Sequence, residues 1–127
     1  MHSARQRSAE SLLMADKQPL PPEIDCQTVA SKLGQEGQFL LIDCREPDEH
    51  ALVHIEGAML LPMSQIGGRL EELKPYAEHE IAVHCHQGGR SLRVSNWLRD
   101  NGFPKSQSMA GGIDEWSLKI NPTLPRY

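Results

Sequence analysis

Cysteine is scarce in this chain: Cys26, Cys44 and Cys85 are the only three in 127 residues. The set is odd and widely spaced, which argues against a disulfide framework and for one reactive thiol beside two structural ones. Basic charge is also in short supply. Lys and Arg total 13 against 17 Asp and Glu, a formal net charge of −4, so no nucleic-acid partner is expected. Long apolar runs are missing too: Phe39 to Ile42 is far too short to span a bilayer, so no membrane partner is expected. The basic start, Met1 to Arg7, leads into no secretory apolar region, because Leu12-Leu13-Met14 is bracketed by Glu10 and Asp16. These absences point to a cytoplasmic globular protein.

What is present is a strand–helix alternation. Residues 1–22 read as an N-terminal extension: Ser3 to Ala15 has mild helical character, broken by Pro19, Pro21 and Pro22. The domain proper is expected over 23–127, enough for a single core. Val29, Ala30 and Leu33 share one helical face, stopped by Gly34. Phe39–Ile42 is continuously apolar, as in a strand buried on both faces. Glu46-Pro47-Asp48-Glu49 reads as a helix start. Ala58–Leu61 reads as a second strand. Ile66, Leu70 and Leu73 predict a helix ending before Pro75. Glu80–His84 is a third strand, and a helix is expected to begin at Ser91 and stop at Asn101-Gly102. A last strand over 105–109 and a helix opened by Gly111-Gly112 complete the pattern. Repeated units of this kind imply an α/β fold, a central parallel sheet with helices on both faces, and ligands bind such sheets at the strand carboxyl ends.

Cys85 sits at one of those ends. The run Val83-His84-Cys85-His86-Gln87-Gly88-Gly89-Arg90-Ser91 carries a thiol out of a strand, through a glycine turn, and into a helix N-terminus. Only a thiolate attacks sulfur, and unpaired N–H groups, the helix dipole and the Arg90 cation all favour the anion. Gly88 and Gly89 are expected to turn the backbone so that its N–H groups face inward. Cys85 is therefore the candidate nucleophile, with His86, Gln87, Gly88, Gly89 and Arg90 forming the substrate cradle. Ser91 is expected to cap the following helix. Four residues separate Cys85 from Arg90, a tighter cradle than the five of a cysteine phosphatase, which favours a single added sulfur over a phosphate.

Asp43 and Arg45 leave a neighbouring strand end and are candidate supporting residues, Asp43 by ordering the loop and Arg45 by adding positive potential. A plain ion pair within the 43–49 turn is the competing reading. Cys44 should point to the sheet face opposite Asp43 and pack in the core rather than resolve a Cys85 adduct. No histidine pair has a recognised ligand spacing, so no metal is expected. His86 is placed to meet a substrate, while His84 alternates away from Cys85. Trp97 and Trp116 fall on apolar helical faces and read as core.

These motifs together resemble the rhodanese domain, the sulfurtransferase family. Leu41-Ile42-Asp43-Cys44-Arg45-Glu46-Pro47 is similar to the family's strand and Asp-x-Arg-Glu-Pro turn. His54-Ile55-Glu56-Gly57-Ala58 with Leu61-Pro62 resembles its His-Ile-Pro-Gly-Ala segment, and Ala110 to Trp116 its terminal Gly-Gly helix. The departures are Cys44, Val53 and Glu56, none of them in the cysteine loop. The resemblance implies a double displacement: Cys85 takes a sulfane sulfur from a small anionic donor such as thiosulfate, holds it as a persulfide, and passes it to a thiophilic acceptor, with no cofactor. The segment Ile120 to Tyr127 resembles the tail of rhodanese domains fused to adenylating enzymes of molybdopterin and thiamine synthesis, which implies a sulfur-carrier protein or a cysteine desulfurase as further partners. A relay partner with little thiosulfate turnover, or a non-catalytic binding module, are the alternatives.

Overall fold

The computed structural model describes residues 20–35 and 37–127. The reading of Ser3 to Ala15 as helical lies outside the described residues. Five strands, β1 (Glu23–Ile24), β2 (Phe39–Asp43), β3 (Met59–Leu60), β4 (Glu80–His84) and β5 (Ser106–Met109), form one sheet in the order β1-β5-β4-β2-β3. Every pairing is parallel. Among the described residues four α-helices accompany them: α1 (Cys26–Leu33), α2 (Pro47–Leu52) and α3 (Gly89–Asp100) lie between strands, and α4 (Gly112–Lys119) follows β5.

Side-chain alternation along the two central strands divides the core into two layers. Leu40 and Ile42 of β2 join Ile81 and Val83 of β4 against Val94 and Leu98 of α3. Leu41 and Ala82 point the other way, onto Val29 of α1 and Ile113 and Trp116 of α4. The middles of β2 and β4, Leu40–Ile42 and Ile81–Val83, are apolar because each meets a helix on both faces. Among the described residues no helix is long and apolar enough to cross a membrane.

Local chemistry explains most boundaries. Asp25 caps α1, its carboxylate accepting the Thr28 N–H at 2.7 Å. Glu46 and Glu49 form a reciprocal capping box at the start of α2, with Pro47 in its first turn. Two elements differ from expectation. The segment Ile66–Tyr76 is a 3₁₀ helix kinked at Arg69, and it runs through Pro75. Gly67 and Gly68 weaken an α-helix there, and a short 3₁₀ turn loses one hydrogen bond at most to the proline ring. Helix α3 starts at Gly89, two residues before Ser91, because Gly88 adopts φ 116° and turns the chain directly into the helix. The two-residue β1 has no periodicity to read. It is held on β5, where the Pro22 carbonyl accepts the Ser108 N–H at 2.9 Å.

Candidate active site

Cys85 leaves the carboxyl end of β4 almost fully buried, with 1% of its surface exposed. Its sulfur accepts the Gly88 N–H at 3.1 Å. Gly89, Arg90 and Ser91 lie in the first turn of α3, where N–H groups have no partner within the helix, so positive backbone charge faces the loop. Of the two loop glycines only Gly88 takes a left-handed conformation. Gly89 is helical, correcting the expectation that both glycines make the turn.

The opposite side of the loop is held by α4. The Ile113 and Asp114 N–H groups donate to the carbonyls of Cys85 and His86 at 3.0 and 3.1 Å. A trans peptide sets its N–H against its C=O, so these bonds turn the N–H groups of His86 and Gln87 away from α4. Gly112 allows this approach. It has φ 60°, and a Cβ there would lie 2.7 Å from the Cys85 carbonyl oxygen and closer still to that of His86.

Ser91 is not a cap. It lies inside α3, fully buried, and its Oγ is 3.3 Å from the Cys85 sulfur and 2.7 Å from Ser108 Oγ on β5. Arg90 remains a cation, but it is paired. Its guanidinium donates twice to Glu49, at 2.7 and 2.8 Å. Arg90's hydrogen bonds hold the Glu49 carboxyl down at about 2, so the pair stays ionised across the working pH range. Glu49 and Ser108 were missed from the sequence because both are distant from the loop in the chain. The run Glu46-Pro47-Asp48-Glu49 signalled a helix start and nothing about a partner.

Asp43 and Arg45 do not touch the loop backbone. They pair with each other at 2.7 Å, both side chains wholly buried, and Asp43 Oδ1 also accepts the Arg45 N–H and Nε–H. The turn's chemistry decides this: two residues apart, the carboxylate meets its own arginine before it can reach another strand end. Burial pushes the Asp43 carboxyl up, but Arg45 outweighs it and leaves it lowered. Arg45 donates further to the Val53 carbonyl at 2.7 Å. Removing one charge would strand the other in the core, so Asp43→Asn is expected to cost about 3–5 kcal/mol of stability, measured by urea unfolding. Among the described residues no cluster of three or more His, Cys, Asp or Glu side chains is placed to hold a metal.

Comparison with known proteins fits this geometry. Residues 26–119 match the family model described as a rhodanese-like domain. The chain belongs to the rhodanese-like domain family. A rhodanese-like/PpiC domain-containing protein 12, chloroplastic, from Arabidopsis thaliana is 33% identical over 121 residues, covering 91% of this chain and 40% of that one. A sulfurtransferase from Allochromatium vinosum is 30% identical over 95 residues, 75% of this chain and 87% of that one. Among solved structures, the human single-domain sulfurtransferase TSTD1 shares the fold with a TM-score of 0.67 at 23% identity, over 79% of this chain and 98% of that one. The chain spans about half or less of the length of several of the curated relatives that it matches.

Two buried groups of this rhodanese-like domain flank Cys85. Cys44 follows β2, its N–H donating to the His84 carbonyl at 3.0 Å, and packs in the same apolar layer as Cys85. Burial, reinforced by the neighbouring Cys85 and Asp43, pushes its thiol far up, so it stays protonated. His84 lies on the other face. Its Nδ1 is 3.2 Å from the Cys85 carbonyl, and its Nε2 is 3.7 Å from Asp43. Burial lowers His84 to about 4, against the pull of Asp43. The unfolded chain gains a proton near pH 6.5 that the folded protein resists until about 4. Stability is therefore full above pH 6.5 and falls across that window, by roughly 3 kcal/mol. Urea midpoints between pH 7.5 and 4.5 should show this slope, and His84→Gln should flatten it.

Proposed function

We propose that this domain is a sulfurtransferase that carries a sulfane sulfur on Cys85. The observation that carries the reading is the Gly88 N–H donating to the Cys85 sulfur at 3.1 Å, in a four-residue loop that enters the N-terminus of α3. In the first half-reaction, the Cys85 thiolate attacks the outer sulfur of a donor such as thiosulfate. The S–S bond of the donor breaks, sulfite leaves with its electron pair, and Cys85 holds a persulfide. In the second, an acceptor nucleophile takes the outer sulfur and returns the thiolate. The N–H groups around the loop stabilise negative charge on either sulfur and need no reorganisation between the two steps. Ser91 Oγ stands beside the inner sulfur as a further hydrogen-bonding group. The three free cysteines support a reducing, cytoplasmic setting.

A sulfur-relay reading is favoured by one feature, the neutralisation of Arg90 by Glu49. A dianion such as thiosulfate is then attracted mainly by backbone N–H groups, whereas a protein persulfide from a cysteine desulfurase needs no such attraction. Intact mass after thiosulfate, before and after cyanide, separates the two. A gain of about 32 Da on Cys85 that cyanide removes is expected of the persulfide cycle. No gain with thiosulfate, but a gain from a desulfurase persulfide, would select the relay and a sulfur-carrier protein as acceptor.

A further inference from the structure

The C-terminal residues reach the cysteine loop from two directions. Arg126 pairs with Asp114 at 2.8 and 3.2 Å, and the Asp114 N–H in turn holds the His86 carbonyl. The Tyr127 ring lies flat against the His86 ring, with centroids 4.0 Å apart and planes 10° apart. Its hydroxyl accepts from Arg45 Nη1 at 3.1 Å and donates to Glu49 Oε1 at 3.0 Å. That is the carboxylate that grips Arg90. Tyr127 remains 40% exposed, so contacts with the site hold it in place rather than burial in the core.

One continuous path results. The buried Asp43–Arg45 pair cannot shift without losing its own hydrogen bonds. Arg45 fixes the phenol, the phenol fixes Glu49, and Glu49 fixes Arg90 at the end of the loop. The same ring fixes His86 at the loop's beginning. Both ends of the cradle therefore refer to one anchor in the core.

We propose that Tyr127 is a positioning residue of this site, holding His86 and the Glu49–Arg90 pair so that the cradle over Cys85 keeps a single shape. The proposal rests on Cys85 being the sulfur-carrying nucleophile. Tyr127 touches no reacting atom. It acts through His86 and Glu49, and the two contacts are chemically separable. Tyr127→Phe retains the stack and loses the hydroxyl bridge, whereas Tyr127→Ala loses both.

The test compares both variants with the full chain by steady-state kinetics with thiosulfate and by backbone amide NMR. Tyr127→Ala is expected to raise the donor KM about tenfold while changing kcat by about twofold or less, since the groups that shape the cradle are misplaced and the nucleophile is intact. The amides of residues 86–90 should shift, and the His86 ring protons should lose their ring-current displacement. Tyr127→Phe should keep that displacement and give a KM between the other two. Unmoved loop amides with an unchanged KM would overturn the proposal. So would an activity loss that merely tracks a lower Tm while the loop amides stay in place. If the wild-type protein transfers no sulfur at all, the functional reading fails, and the amide shifts still decide the role of Tyr127.

Discussion

Cys85→Ser is expected to abolish the 32 Da adduct and to lower sulfur transfer by about a thousandfold or more, because a hydroxyl cannot carry a persulfide. The fold should survive. Serine is close in size, and its oxygen can still accept the Gly88 N–H and meet Ser91 Oγ, the two contacts that the sulfur makes. The loss is therefore chemical, and the variant should unfold within about 1 kcal/mol of wild type. Cys44→Ala supplies the contrast. Its thiol lies in the same apolar layer, but burial holds it protonated, so persulfide formation should continue. Intact mass of both variants after thiosulfate reads the result. An adduct on Cys85→Ser would move the carrier role to another thiol, and loss of the adduct in a folded Cys44→Ala would show that the two thiols work as a pair.

Gly112→Ala is the second large effect, and it separates two glycines that look alike in the sequence. At Gly112 a methyl group would press on the carbonyls of Cys85 and His86, and φ 60° disfavours any side chain. Those two carbonyls accept the first N–H groups of α4, so moving them shifts the peptide planes that aim the loop. A cost of about 3 kcal/mol or more is expected, a Tm lower by roughly 10 °C, together with slower persulfide formation. Gly89→Ala is the control for stability. Nothing lies within 4 Å of a Cβ there, and the residue is helical, so alanine should be neutral or mildly stabilising. Thermal melts of the two variants give the comparison. Equal losses would mean that the loop is not packed on α4 as the geometry requires.

The parallel α/β sheet was legible because its elements carry strong local signals. Phe39–Asp43 and Glu80–His84 are short strands with apolar middles, and Glu46, Pro47 and Gly34 mark helix ends by their local backbone chemistry. The loop around Cys85 was legible for the same reason: nucleophile, glycine turn and helix start lie within seven consecutive residues, 85–91. The 3₁₀ segment was misjudged, since Ile66, Leu70 and Leu73 suit either helix and only packing chooses between them.

The charge state of the site was not legible. Arg90 reads as a free cation, yet Glu49, 41 residues away, neutralises it. Ser91 reads as a cap, yet Ser108, 17 residues away, draws it into the core beside the thiol. Asp43 and Arg45 read either as loop supports or as an ion pair of their own turn, and only the fold shows that they satisfy each other and that Arg45 also donates to Tyr127. By itself the sequence determined most of the elements and the course of the loop from Cys85 into α3, because each depends on residues close together in the chain. Tertiary structure alone decided which charges are paired, that the Cys44 thiol is held protonated and what holds the loop still, because burial and ion pairing depend on groups that only the folded sheet brings together.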